Sequence, residues 1–225
     1  MFLRTVWLVT RKDLLIEVRS REIVYTTLFF AVSSVLVFAF GFVRDGSPVK
    51  DAAAGILWIA IAFSGTLALG RTFERERHSE TLRALMLAPV ARSAIYVGKL
   101  VGVLLVLGVV EIVVVPLVAL MFQAPMFAYP VLMAGLLAAG TLGFAAVGTL
   151  FAAMLVRARS RDVLLPILLY PITIPVIIAG VRGTASLLQA DVDIPMARAW
   201  LSMLVFFDVV FITLALWSFE PAMTE

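Results

Sequence analysis

Two carboxylates in this chain stand where carboxylates are rarely found. Glu111 interrupts an otherwise uncharged run from Leu100 to Phe122, and Asp208 interrupts another from Ala199 to Phe219. A charged side chain at the centre of a lipid-embedded helix costs about 2.5–3.5 kcal/mol on insertion scales, so each must face protein or a cavity. No Lys or Arg lies at matching depth in the other apolar runs. Two roles are open. The acids face an internal polar surface used in transport, or they hydrogen-bond a neighbouring helix and hold it in place. Other chemistry is sparse. There is no cysteine, so thiolate metal sites and disulfides are excluded. His78 is the single histidine, and nothing resembles a metal-ligand cluster. Gly98-Lys99 lacks the earlier glycine and the following Ser or Thr of a phosphate-binding loop. Lys99 is expected at the headgroup boundary with its stem along the apolar run. Gly98 and Gly102 form a G-x-x-x-G suited to close helix packing.

The elements that position these residues follow from hydropathy. The chain is 63% hydrophobic and 15% charged, with a mean hydropathy of +1.08. That excludes an ordinary soluble domain. A bilayer core about 30 Å thick takes about 20 helical residues. The uncharged runs give six spans over residues 23–43, 52–70, 98–122, 129–156, 163–181 and 199–219. Gln123, Pro125 and Pro130 mark the turn between the third and the fourth. Runs this long are not the alternating strands of a barrel. Helices are required because backbone groups in lipid must be satisfied within the segment. The expected fold is therefore one all-α integral membrane domain spanning residues 1–225.

Basic residues set the orientation. Arg4, Arg11, Lys12, Arg19 and Arg21 precede the first span. Arg71, Arg75, Arg77, Arg83, Arg92 and Lys99 follow the second, and Arg157, Arg159 and Arg161 follow the fourth. The opposite side holds only Arg44, Lys50, Arg182 and Arg198. The positive-inside rule places both termini, and the loop over 71–97, in the cytoplasm. The first 22 residues do not read as a cleaved signal peptide, since no A-x-A site follows a span-length apolar run. Leu3, Trp7, Leu14 and Val18 share a helical stripe, with Leu8 and Leu15 off it. An interfacial helix is the first reading, and a solvated basic tail the second.

The loop over 71–97 concentrates charge in an oily chain. Leu82, Leu85 and Met86 give a short apolar face, with Glu76, Arg83 and other charges around it. Pro89 stops the helix, and Arg92 begins the climb into the third span. Such a helix fits a groove on a soluble partner, or it rests on anionic headgroups. The sequence physics leaves both open.

These residues also carry a family resemblance. ERERHSETLRALMLAPVARSAIYVGK, starting from the acidic lead-in and ending on "GK", resembles the cytoplasmic loop of ABC-2-type export permeases. ILWIAIAFSGTLALGRTFERE, LRALMLAPVARSAIYVGK and LPILLYPITIPVIIAG are similar to the CcmB family, the haem-exporter permeases of cytochrome c maturation. The resemblance implies an ABC-2-type permease architecture in the bacterial inner membrane. It implies that the loop is a coupling helix, with Glu76, Leu82, Arg83, Leu85, Met86, Pro89 and Arg92 meeting an ATP-binding cassette subunit. It implies a second copy of the chain and haem-handling membrane subunits as partners, besides membrane lipid, and no nucleic acid. ATP would be bound and hydrolysed on the partner, so the chain itself is expected not to be an enzyme. Haem would be a transported or handled ligand, with no cofactor assigned to this chain. His78 is weighed as a haem ligand and set aside as a loop residue flanked by charge. Pro166, Pro171 and Pro175 free backbone carbonyls in the fifth span, which makes them hinge or kink candidates. Other exporters of lipid, drug or polymer, and a scaffold that passes ATPase motion to neighbours, remain the alternatives.

Overall fold

The computed structural model describes residues 2–44, 47–78, 91–158 and 160–222. Helix α1 covers Phe2–Ser20 and α2 covers Glu22–Gly41. A minimal hairpin follows, with β1 (Val43–Arg44) antiparallel to β2 (Ser47–Pro48). Then come α3 (Ala53–His78), α4 (Arg92–Phe122), α5 (Pro130–Met154), α6 (Arg161–Leu188) and α7 (Ile194–Ala222). The six helices α2 to α7 are each long and apolar enough to cross a membrane. The chain is an all-α, multi-pass membrane protein.

Four boundaries differ from the sequence expectation. Helix α3 continues past Gly70 to His78, because Arg71 to His78 holds good helix formers and no breaker. Glu76 therefore lies on the extension of the second span. Arg92 opens α4 and does not belong to the loop. Leu82, Arg83, Leu85, Met86 and Pro89 lie outside the described residues. Helix α6 runs on through exposed Arg182 to Leu188. Helix α7 begins at Ile194 because the Asp193 carboxylate accepts the Met196 amide at 2.9 Å, satisfying a first-turn donor. At the end of α4, Gln123 takes φ 50° and closes the helix in the left-handed conformation.

Proline does not divide the helices it enters. Pro166, Pro171 and Pro175 all lie inside the continuous α6. Pro116 lies inside α4, a position to which the sequence pattern gives no prominence. Pro171 and Pro116 are exposed, on faces where neighbouring helices do not press.

Two large apolar clusters fill the bundle. One, away from the termini, includes Leu57, Trp58, Ile61, Val110, Val114, Leu136, Val176 and Leu204. The other, towards the termini, includes Leu69, Tyr96, Leu107, Phe144, Leu165, Leu169 and Phe219. Trp58 joins α3 to two partners at once. Its indole lies where a Cβ on Gly140 or Gly180 would stand, and its Nε1 donates to Thr184 Oγ1 at 3.0 Å. Only glycine at both positions lets the ring in. Tyr96 does similar work in the second cluster, donating to the Ala146 carbonyl at 2.9 Å.

Candidate functional site

The two acids occupy the level where one apolar cluster gives way to the other. Val110 belongs to the first and Leu107 to the second, with Glu111 beside them; Ala139 and Phe144 bracket Thr141 in the same way. Glu111 on α4 accepts a hydrogen bond from Thr141 Oγ1 on α5. That bond joins α4 to α5. Asp208 on α7 is 5% exposed. Its Oδ1 packs against α5, where a Cβ on Gly143 would lie 2.5 Å away. That oxygen has no hydrogen-bond partner among the described residues. Residues 141 and 143 are about 200° apart around a helix at 3.6 residues per turn. The acids therefore meet opposite faces of α5.

A second polar constellation sits at the end of the bundle that holds the termini. Helix α1 lies against the start of α4 with Val9, Thr10 and Glu17 buried. Leu3, Trp7, Leu8, Leu15 and Val18 are exposed, as a helix floating in the lipid interface requires. Close approach is possible because residue 98 is glycine: a Cβ there would lie 2.8 Å from the Val9 Cβ. Thr10 Oγ1 donates to the Gly98 carbonyl at 3.0 Å. Lys99 does not reach the headgroups, contrary to the sequence expectation. It is 2% exposed, with its Nζ 2.7 Å from Asp13 Oδ2. The reason is that α1 covers the start of α4 and brings its own carboxylate to the ammonium.

Arg21 forms the elbow between α1 and α2, with φ 54° and ψ 10°. The buried Glu17 carboxylate spans this elbow and accepts the Val24 amide at 2.9 Å, one of the donors that a helix start leaves open. Arg71, where the second span leaves the apolar region, pairs with Glu22 at 2.7 Å. Both ends of the loop over 71–97 are thus paired near the same elbow: Arg71 with Glu22, and Lys99 with Asp13. Sequence reasoning missed both pairings. The signal available was weak, namely acids at positions 13, 17 and 22 among five basic residues.

Of the positions predicted as the docking element, Glu76 is on α3 and Arg92 on α4, and the rest fall outside the described residues. Among the described residues no group of three or more His, Asp or Glu side chains forms a metal site.

Comparison with known proteins places the chain. A family model described as CcmB protein matches residues 4–224. Heme exporter protein B of Escherichia coli strain K12 is 36% identical over 189 residues, covering 84% of each chain. The proteins of the same name from Escherichia coli O157:H7 and Shigella flexneri match to the same extent. The chain belongs to the CcmB family.

Proposed function

We propose that this chain is the transmembrane permease subunit of an ABC transporter complex serving cytochrome c biogenesis, in the bacterial inner membrane with both termini in the cytoplasm. The observation that carries the reading is the match along nearly the whole chain to a family whose curated relatives are named heme exporter protein B. The loop over 71–97 supplies the docking element, and an ATP-binding cassette subunit supplies hydrolysis, since this sequence holds no phosphate-binding loop. A second copy and haem-handling membrane subunits complete the assembly. Haem is cargo or a ligand handled by the complex.

Two mechanisms fit that assignment: passage of haem, and ATP-driven release of a haem-loaded chaperone by force passed to neighbouring subunits.

The test is co-purification from native membranes with identification of the soluble subunit and any bound pigment. Replacing Leu85 and Met86 together with Glu should abolish recovery of the ATPase while the spans stay inserted. Undiminished recovery would overturn the docking assignment. Recovery of a polysaccharide or drug exporter's subunits would overturn the biogenesis assignment.

A further inference from the structure

A groove of about 470 Å³ lies where α1, α2 and α4 meet. Leu14 and Val18 of α1, Val24 of α2 and Leu105, Val106 and Val109 of α4 make its walls, and Arg21 and Tyr25 line it beside the elbow. Val106 packs with Ile23 and Val24 at the foot of α2. Val109 is three residues further along α4, about 4.5 Å deeper at 1.5 Å per residue. The groove thus falls away from Arg21 towards the middle of the bilayer.

Its polar end offers donors. Arg21 Nη1 donates to the Tyr25 hydroxyl oxygen at 3.3 Å. The phenol accepts in that bond, so its own proton is left to be donated outward. No acid pairs with Arg21 among the described residues, and both Arg21 and Tyr25 are exposed. Glu17 also borders the groove, but it is buried and its Oε1 accepts the Val24 amide at 2.9 Å. A guanidinium fork beside a phenol proton suits the oxygens of a phosphate. Tyrosine is moreover at home at the level of the headgroups. The apolar end excludes a different occupant. Small residues let membrane helices come close, and the described lining holds no Gly, Ala, Ser or Thr. It gives a partner helix no close approach, whereas a flexible acyl chain fits between its branched side chains.

We infer that this groove holds one phospholipid, with an acyl chain between α1, α2 and α4 and its phosphate on Arg21 and Tyr25. The lipid belongs to the leaflet in which α1 lies, which is the cytoplasmic one under the proposed orientation. It braces the elbow, with α1 on one side of it and α2 on the other.

The full complex is reconstituted in vesicles containing phosphatidylglycerol with a diazirine on its acyl chain. The probe is present in both leaflets, so the result does not depend on which way the termini face. Illumination should label peptides holding residues 14–18 or 105–109, located by mass spectrometry. Labelling there should fall roughly three- to tenfold in Arg21→Asn, which removes a cation at the membrane surface and still tolerates the left-handed backbone of the elbow. It should fall in Tyr25→Phe as well. Val109→Trp, which fills the groove away from both donors, should abolish it. Labelling beside the exposed Phe206 and Val209 of α7 reports ordinary contact with bulk lipid and should stay constant in all three variants. Groove labelling indifferent to the Arg21 and Val109 variants means bulk contact only and overturns the inference. Loss of labelling in excess inorganic phosphate marks a site for a free anion and also overturns it. So does a crosslink from Val18→Cys, in a chain otherwise free of cysteine, to a peptide of another subunit. ATPase recovery in the same preparations reports separately on the proposed function: the ATPase is retained when only the lipid assignment is wrong.

Discussion

Lys99 Nζ and Asp13 Oδ2 stand 2.7 Å apart, joining side chains that are 86 positions apart in the chain. The ammonium is almost wholly buried and the carboxylate is 17% exposed. Removing one member of a buried pair strips the other of its partner charge, at a cost of up to about 3–5 kcal/mol. Asp13→Ala should therefore lower the unfolding midpoint of the purified protein in detergent. The double variant Asp13→Leu with Lys99→Met should be much nearer to the parent. Equal losses in the single and double variants would show that the pair contributes nothing specific.

Gly98→Leu tests the seating of α1. The added side chain collides with Val9 and with the Val6 carbonyl, 3.1 Å from a Cβ at this position. Overpacking of this kind costs about 1–3 kcal/mol. It is expected to lift α1 and speed tryptic cleavage at Arg11, Lys12 and Arg19 in inside-out vesicles. Cleavage there at the parent rate would mean that α1 does not depend on this contact.

Glu111→Gln keeps an acceptor for Thr141 and should leave stability close to the parent. Glu111→Leu removes it and strands the Thr141 hydroxyl, which is buried. The expected loss is about 1 kcal/mol, typical of polar contacts between membrane helices. If the Gln variant is fully stable yet blocks cytochrome c maturation in cells, the carboxyl acts beyond helix packing.

Trp58 offers two graded substitutions. Trp58→Phe loses the bond to Thr184 and part of the wedge, and Trp58→Ala empties the space between Gly140 and Gly180. Large-to-small changes of the latter kind cost about 3–5 kcal/mol. The detergent unfolding midpoint should fall in the order parent, Phe, Ala. An Ala variant as stable as the parent would mean that α5 and α6 close over the gap.

The six spans were legible because each is a run of apolar residues too long to be anything else in water. The positions of Glu111 and Asp208 were legible for the same reason, as breaks in those runs. Their surroundings were not. Thr141 is thirty positions from Glu111, and no local pattern ties an ordinary threonine to a distant acid. Lys99 was misplaced because a basic residue at a span's start normally reaches for the headgroups. Only the docking of α1 removes that freedom, and the side of α1 that docks is partly polar, so apolar periodicity marks the exposed side of α1 and not the side that docks. The three prolines of the fifth span all stay within one continuous helix. The extension of α3 past Gly70 was masked by its charge, which signals the edge of the membrane and not the end of a helix.

Arg21 is a one-residue elbow, and one residue leaves no slack. Glu22 pairs with Arg71 on the outgoing stalk of the loop over 71–97 and Asp13 with Lys99 on the returning one, so under the proposed function a push on that loop would reach α1 and α2 together, like a crank. Helix α1 exposes Leu3, Trp7, Leu8, Leu15 and Val18, so for an interfacial helix turning would mean ploughing through lipid. The bilayer's viscosity and thickness would thereby become part of the gearing, and the same stroke would deliver different travel in membranes of different composition.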